Sequence, residues 1–233
     1  MTTLVLLPGL AGDEDMWHDQ LPALARWRPH VTDVHMRHAS IVEMAAALLV
    51  RYPGRLALCG ASMGGMLAME AARQAPGRIA GLALLGTTAR SEDEDTRKVR
   101  EKAIVLFEQG RVAEVIEPNV AFAFHPRHAN DEALLARYVA FVLRAGAHHL
   151  VRQNRAVIGR PDARTHLASV RCPTLVMCGE DDLLTPMDRS REIAALVPGA
   201  RLVALPDCGH MLTMEQPEAV NAELLRWLGR VAP

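Results

Sequence analysis

The sequence has few aromatic side chains, which make up 4% of its 233 residues, and almost no net charge. A formal charge of −1 at pH 7 gives nothing that would attract nucleic acid or an anionic membrane surface. The scarcity of Phe, Trp and Tyr also argues against a platform on which bases stack. We therefore expect neither nucleic acid nor a membrane as a partner.

The sequence also lacks the signatures of export, membrane insertion and metal binding. Residues 1–12 have no basic leader, and the most apolar uncharged run, residues 56–69, is too short to cross a bilayer. No cysteine pair has CxxC spacing, which is typical of buried thiols in a reducing compartment. No His/Cys pair has the spacing of zinc ligands. We expect a cytoplasmic protein that holds no metal. The four cysteines are Cys59, Cys172, Cys178 and Cys208.

Short apolar runs alternate with helical patterns along most of the chain. This alternation predicts a parallel sheet that is covered by helices on both faces. The predicted strands are Thr3–Leu7, Val31–Val34, Leu56–Cys59, Ile79–Leu85, Thr174–Cys178 and Arg201–Ala204. Ser40 and Glu43 form a capping box before one helix. Thr185 followed by Pro186 predicts the start of another helix, with the Thr185 hydroxyl as its cap.

Residues 91–168 interrupt this alternation, because they contain no convincing strand. Amphipathic patterns in this region predict helices at Val99–Gln109 and Asp131–Ala145. The region is too long for a plain connection between two strands. We predict an α/β core made of residues 1–90 and 169–233, with a helical cap formed by residues 91–168.

The segment LALCGASMGGML, residues 56–67, places one hydroxyl between two glycines where an apolar strand gives way to a helix. Gly60 and Gly64 leave room for a tight turn that projects Ser62 from the edge of the sheet. The backbone N–H of Met63 and the positive end of the following helix face the same space. We predict that Ser62 is a nucleophile that attacks a carbonyl carbon.

A serine nucleophile needs a base, and the base needs an acid that orients it. Among ten histidines, His210 alone directly follows a predicted strand on a glycine-bearing loop. Glu180, Asp181 and Asp182 follow the strand Thr174–Cys178, at the edge where parallel sheets hold their ligands. These three acids cannot all face the histidine, and the residue pattern alone leaves the choice open.

Four motifs contain these candidate residues and the turn after the first strand: LLPGLAGDEDMW, GASMGG, CPTLVMCGEDDLLTP and DCGHMLTMEQPEAV. Together they resemble the α/β-hydrolase superfamily, and the resemblance covers nearly the whole chain. Similar proteins include carboxylesterases, enol-lactonases such as 3-oxoadipate enol-lactonase, and carbon–carbon bond hydrolases. The resemblance implies a mostly parallel sheet of about six strands, a helical cap, and a serine hydrolase that needs no cofactor.

The same resemblance implies roles for individual residues. The acid of the family follows the strand-end glycine by three residues, which implies Asp182. The oxyanion donors of the family imply the backbone N–H groups of Met63 and Leu10. The chain departs from the family in two places: Pro8-Gly9 stands where His-Gly is common, and the hairpin strands that usually precede the first parallel strand are missing.

We expect the substrate to be a small carboxylic ester or a lactone, cleaved through an acyl-enzyme intermediate. The candidate pocket residues are apolar and suit a small, largely uncharged acyl group; they are Met66, Phe122, Phe124 and Phe141. A thioesterase, a carbon–carbon bond hydrolase and a cofactor-free haloperoxidase would use the same triad. A dehalogenase or epoxide hydrolase is disfavoured, because similar enzymes of those kinds carry Asp in place of Ser62. The alternative from another class is a ligand-sensing protein on a hydrolase scaffold. The oligomeric state is left open.

Overall fold

A six-stranded sheet lies at the centre of the structure, a computed structural model that describes residues 2–231. The strands are β1 (Thr2–Leu7), β2 (His30–Val31), β3 (Arg55–Ala61), β4 (Ile79–Leu85), β5 (Thr174–Gly179) and β6 (Arg201–Leu205). Their order is β2-β1-β3-β4-β5-β6, and every pairing between neighbours is parallel. The predicted parallel sheet of about six strands is confirmed.

The apolar character of the strands follows from burial on both faces of the sheet. Every residue of β4 is buried, as expected for a central strand that is covered on both sides. Along β1, Leu4 and Leu6 pack into one hydrophobic cluster, while Val5 and Leu7 pack into a second cluster. This alternation follows the two-residue repeat of a strand, so each face of the sheet supports its own core.

Nine α-helices connect and cover these strands within residues 2–231. They are α1 (Ile41–Arg51), α2 (Met63–Gln74), α3 (Glu94–Glu108), α4 (Val112–Ala123), α5 (Glu132–Ile158), α6 (Arg164–Leu167), α7 (Met187–Leu196), α8 (Leu212–Glu215) and α9 (Pro217–Leu228). Helix α1 begins as predicted, because the Ser40 hydroxyl accepts the N–H of Glu43 at 3.1 Å. The Glu43 carboxylate accepts the N–H of Ala39. The prediction that Thr185 caps α7 is wrong: its side chain makes no capping bond and contacts an acid instead.

Helices α3 to α6 lie between β4 and β5, in the region predicted to be helical. We call residues 91–168 the inserted segment. Helix α4, which contains Pro118, was not predicted. Helix α5 continues past its predicted end to Ile158, although Gly146, with φ +73°, breaks its helical backbone. The boundaries at residues 90/91 and 168/169 stay a prediction.

The four cysteines are free thiols, and three of them are buried. Burial raises the pKa of the Cys178 thiol to about 12. Across residues 2–231, no helix combines the length and the apolarity that crossing a membrane requires. The same residues contain no group of three or more His, Cys, Asp or Glu side chains that could hold a metal ion.

Candidate active site

Ser62 occupies the turn between the end of β3 and the start of α2. Its backbone has φ +51° and ψ −116°, a conformation that is strained for a residue with a side chain. The Ser62 N–H donates to the carbonyl of Leu85 at 2.8 Å, and the Thr87 hydroxyl donates to the Ser62 carbonyl at 2.7 Å. The end of the neighbouring strand β4 therefore holds the strained turn in place.

The glycines on either side of Ser62 are a steric requirement. A Cβ atom on Gly60 would overlap the carbonyl oxygen of Gly64, and a Cβ on Gly64 would overlap that of Leu7. Both clashes involve backbone atoms, which cannot move aside as a flexible side chain would. The glycine pattern in the sequence therefore reflects the close packing of α2 against β1 and β3.

Asp182 and His210 form a buried pair at the carboxyl ends of β5 and β6. The Nδ1 atom of His210 lies 2.8 Å from Asp182 Oδ2. The other carboxylate oxygen, Oδ1, accepts the N–H groups of Leu184 and Thr185, and the Thr185 hydroxyl donates to Oδ2 at 2.7 Å. The carboxylate of Asp181 is half exposed and lies 3.6 Å from a different histidine. Of the acids left open above, Asp182 is thus the one that contacts His210.

The charges of neighbouring groups determine the direction of the pKa shifts of Asp182 and His210, because burial alone would disfavour the charged form of both side chains. Against that burial, the charge of His210 and hydrogen bonds from His210 and Thr185 hold the pKa of Asp182 below its usual value. The negative charges of Asp182 and Glu215 raise the pKa of His210, although its burial and the guanidinium of Arg100 act in the opposite direction. The surroundings therefore favour a positive charge on this imidazole.

Gly86 links the position of Ser62 to the Asp182–His210 pair. It directly follows Leu85, which accepts the Ser62 N–H, and its φ is +49°. A Cβ atom on Gly86 would lie 3.3 Å from Asp182 Oδ2 and 3.4 Å from the His210 carbonyl oxygen. Strands β3 to β6 therefore bring Ser62, Asp182 and His210 to one edge of the sheet.

One side-chain atom of Ser62 and one of His210 are unpaired at this edge of the sheet. Among residues 2–231, neither Ser62 Oγ nor His210 Nε2 has a hydrogen-bond partner. A hydrogen bond between such groups is often absent without substrate and forms only in the reacting complex.

Two backbone N–H groups beside Ser62 also have no acceptor in the described part of the chain, those of Leu10 and Met63. Met63 is the first residue of α2, where an N–H has no partner within the helix. Leu10 lies in a turn closed by a hydrogen bond of 3.0 Å from the Gly12 N–H to the Gly9 carbonyl. A Cβ atom on Gly9 would lie 3.3 Å from Ser62 Cβ, so this turn packs directly against the serine.

Glu215 anchors the loop of His210 and is absent from the residues predicted for the site. Its side chain is fully buried. Its carboxylate accepts the N–H groups of Gly209 and Met211, the two neighbours of His210, each at 3.1 Å. It also accepts the N–H of His125 in the inserted segment at 2.8 Å. The sequence contains one signal for this role, an acid five residues after the histidine.

The structure brings together two of the four candidate pocket residues. Phe124 and Phe141 both pack edge-on against Tyr138, with ring centroids 5.3 and 5.2 Å apart. Phe122 is 50% exposed. Met66 belongs to the hydrophobic cluster on the other face of the sheet. Their part in substrate binding stays a prediction.

A groove of about 480 Å³ lies at the opposite end of the sheet, at the amino ends of the strands. Its walls include Arg55, Ile79 and Pro173, which stand at or just before the starts of β3, β4 and β5. Because this groove is at the other edge from Ser62, we assign it no part in the reaction.

Comparisons of the sequence with known proteins give consistent matches along the whole chain. A family model described as the alpha/beta hydrolase family matches residues 4–223. A candidate carbamate hydrolase from Shigella flexneri is 28% identical over 97% of this chain and 90% of the relative. A pimeloyl–acyl-carrier-protein methyl ester esterase from Nitrosomonas europaea is 26% identical over 92% of this chain and 91% of the relative.

Solved structures agree with this match. An esterase from Thermogutta terrifontis superimposes with a TM-score of 0.90 at 25% identity, covering 100% of this chain and 91% of the other. The enol-lactonase from Burkholderia xenovorans gives a TM-score of 0.86 at 23% identity, covering 98% of this chain and 92% of the other. At that identity the second likeness shows a shared fold alone.

Proposed function

Because the chain belongs to the alpha/beta hydrolase family, we propose that it cleaves a small carboxylic ester or lactone through an acyl-enzyme formed on Ser62. One observation carries this proposal. The buried Asp182–His210 pair, with 2.8 Å between Oδ2 and Nδ1, lies at the same sheet edge as the strained Ser62 turn. This is the combination of acid, base and nucleophile that acyl transfer needs.

In the first half of the proposed reaction, Ser62 Oγ bonds to the substrate carbonyl carbon while its proton passes to His210 Nε2. The carbonyl π electrons move onto the oxygen, which then carries a negative charge. The N–H groups of Met63 and Leu10 donate to this oxyanion, each contributing about 3–4 kcal/mol to the stability of the transition state. Asp182 stabilises the imidazolium. When the tetrahedral intermediate collapses, His210 returns the proton to the departing alkoxide.

In the second half, a water molecule replaces the alcohol. His210 takes a proton from this water as the oxygen attacks the acyl carbon, and a second oxyanion forms at the same N–H groups. Collapse breaks the bond to Ser62 Oγ, which recovers its proton from His210. The products are a carboxylic acid and an alcohol, or one hydroxy acid when the substrate is a lactone.

The names of the relatives support a carbonyl bonded to a heteroatom as the substrate group. One relative is named a methyl ester esterase, and the other is named a candidate carbamate hydrolase. We further propose that the inserted segment is a cap over the site. Two contacts support this: the Ala123 carbonyl accepts the N–H of His210 at 3.1 Å, and the N–H of His125 donates to Glu215.

A fluorophosphonate probe tests the proposal directly. We expect the wild-type protein to be labelled at Ser62, as located by mass spectrometry, and Ser62→Ala to escape labelling. Hydrolysis should fall by about 10⁵–10⁶-fold in that variant. The matched control is Ser169→Ala, because Ser169 is exposed and lines the groove at the opposite end of the sheet from Ser62. Equal labelling of the wild type and Ser62→Ala would refute the assignment of Ser62 as the nucleophile.

The same pair of proteins identifies the bond that is cleaved. Wild type and Ser62→Ala are compared on esters, lactones, thioesters and vinylogous diketones, and the difference between them is the enzymatic rate. We expect the largest difference on esters or lactones. A larger rate difference on thioesters or diketones would contradict the proposed substrate class but would still support Ser62 as the nucleophile.

A further inference from the structure

The turn that carries Leu10 is held by a closed ring of hydrogen bonds. Gln153 Oε1, on α5, accepts the N–H of Ala11 at 2.7 Å, and Gln153 Nε2 donates to the His35 carbonyl at 3.2 Å. The Nε2 atom of His35 lies 2.8 Å from the Gly12 carbonyl oxygen and donates to it. Gln153 is 0% exposed. The ring joins the turn, the segment after β2 and the inserted segment without contact with water.

This turn contains an unfavourable backbone conformation. Ala11 has φ +61°, whereas Leu10 is not among the residues with positive φ. These signs, together with the hydrogen bond from the Gly12 N–H to Gly9, describe a type II turn, whose third position normally holds glycine. An alanine keeps this conformation only when surrounding contacts impose it. The hydrogen bond from the Ala11 N–H to Gln153 is such a contact.

The same turn sets the direction of the proposed oxyanion donor. The Leu10 N–H and the Gly9 carbonyl belong to one trans peptide, so they point in opposite directions. Because the Gly9 carbonyl points to Gly12, the Leu10 N–H points out of the turn. Gly9 packs against Ser62, so the direction of this N–H depends on whether the turn keeps its shape.

We propose that Gln153 is a positioning residue for the reaction, which holds the Gly9–Gly12 turn so that the Leu10 N–H faces the oxyanion. This inference rests on the proposed function of Ser62. A neutral amide suits the position, because it satisfies the Ala11 N–H without placing a negative charge beside the oxyanion. It also makes the oxyanion donor dependent on the position of α5 in the inserted segment.

Gln153→Met tests this inference, because Met has a similar length and makes neither hydrogen bond. We expect kcat to fall about tenfold or more with KM changed less than about threefold, since the lost interaction belongs to the transition state. Affinity for a trifluoromethyl ketone, whose adduct with Ser62 carries an oxyanion, should fall in parallel with kcat. A rise in KM with unchanged kcat and unchanged affinity for the ketone would overturn the proposal.

Asn154→Leu is the matched control for general damage to α5. Asn154 is also buried, but it bonds only to Arg100 and to the Leu150 carbonyl. We expect this variant to keep its affinity for the ketone within about threefold of the wild type, because it leaves the turn intact. An equal loss in both variants would mean that Gln153 acts only by stabilising α5, which contradicts the proposal.

A second substitution separates positioning from packing. Ala11→Gly allows the turn to form without help, because glycine adopts positive φ freely. We expect the double variant Ala11→Gly, Gln153→Met to recover part of the kcat that Gln153→Met loses, with Ala11→Gly alone measured as the reference. If Gln153 only stabilised the core, the added glycine would restore nothing, and that result would overturn the inference.

Hydrogen exchange gives a readout that does not need activity. The Ala11 amide is bonded to a buried side chain, so peptides covering residues 8–16 should exchange at least about tenfold faster in Gln153→Met than in the wild type. Unchanged exchange would overturn the positioning role. A wild type that exchanges as expected but hydrolyses nothing would instead refute the proposed function.

If Gln153→Met does not fold, Gln153→Glu replaces it: this variant keeps an acceptor for Ala11, and we expect an intermediate kcat and intermediate exchange.

Discussion

The two sides of Ser62 are held by groups of different charge. On the His210 side, two fully buried carboxylates make the contacts: Asp182 bonds the imidazole, and Glu215 bonds the backbone on both sides of it. On the Leu10 side, the buried groups are the neutral amide of Gln153 and the imidazole of His35. Both sides are anchored with similar completeness, but only one carries buried negative charge.

This difference matches the charges that the proposed reaction creates. A positive charge develops on His210, where nearby carboxylates stabilise it, and a negative charge develops beside Leu10, where a carboxylate would repel it. Burial lowers the pKa of His35. Its Nε2–H donates to Gly12, and its buried Nδ1 has no partner among residues 2–231, so a second proton on this ring would be unpaired. Buried negative charge therefore lies on the His210 side, where the proposed reaction creates a positive charge, and not on the Leu10 side, where it creates a negative one.

Among substitutions on the two sides of Ser62, Asp182→Asn should lower activity most. In Asp182→Asn, the amide no longer holds the histidine in the tautomer that accepts a proton from Ser62, so we expect kcat/KM to fall by about 10⁴-fold. Initial rates on the best ester substrate measure this. The control is Asp181→Asn, whose carboxylate is half exposed and contacts His125. Comparable losses in both variants would contradict the assignment of Asp182.

Glu215→Gln removes the second buried charge of the His210 side without changing Ser62 or Asp182. Its amide group would face N–H donors, so we expect the free energy of unfolding in urea to fall by about 3 kcal/mol.

The negative charge of Glu215 also raises the pKa of His210. His210 must be neutral to accept the serine proton, so wild-type kcat/KM should fall as pH drops through a value above the usual 6.5 or so.

Because the amide introduced by Glu215→Gln carries no charge, this fall in activity should occur at a lower pH in the variant. The pH profiles of kcat/KM for both proteins measure the displacement. Glu218→Gln is the control, since Glu218 is exposed on α9. A displacement toward higher pH, or an equal displacement in the control, would show that Glu215 does not act on His210 through its charge.

The smallest expected effect concerns charges at the surface near the Leu10 side. Arg144, on α5, forms ion pairs with Asp13, at 2.7 Å, and with Asp15, and all three side chains are substantially exposed. We expect Arg144→Ala to lower the free energy of unfolding by no more than about 0.5 kcal/mol. Urea unfolding at low and at 1 M salt measures this, and high salt should remove the difference. If Arg144→Ala lowered the free energy of unfolding as much as Glu215→Gln, buried and exposed charges would contribute equally to stability, which contradicts the prediction.

The sheet was predictable from local sequence because burial leaves a local mark. Strand β4 matches its prediction at both ends, since a strand covered on both faces must be apolar throughout. Strand β2 is shorter than predicted and ends at Val31, because Val34 begins a short 3-10 helix. Helix α4 was missed because Pro118 normally argues against a helix interior.

The site was predictable only where its signals are local in the chain. Ser62 and the loops of Asp182 and His210 each follow a strand, so short motifs identify them. The use of Thr185 was not predictable, because its hydroxyl could serve either a helix end or an acid three residues earlier. Ala11 lies 142 residues from its partner Gln153, and His125 lies 90 residues from its partner Glu215, so no short window of sequence contains both members of either contact. Only the contacts of Glu215 with Gly209 and Met211 are local in the chain.

The backbone at Gly86 limits how this scaffold can be redesigned. Even a methyl group there would press on Asp182 and on the side chain of Leu212, and the left-handed φ disfavours every other amino acid. A mutant library aimed at new substrates should therefore leave position 86 unchanged.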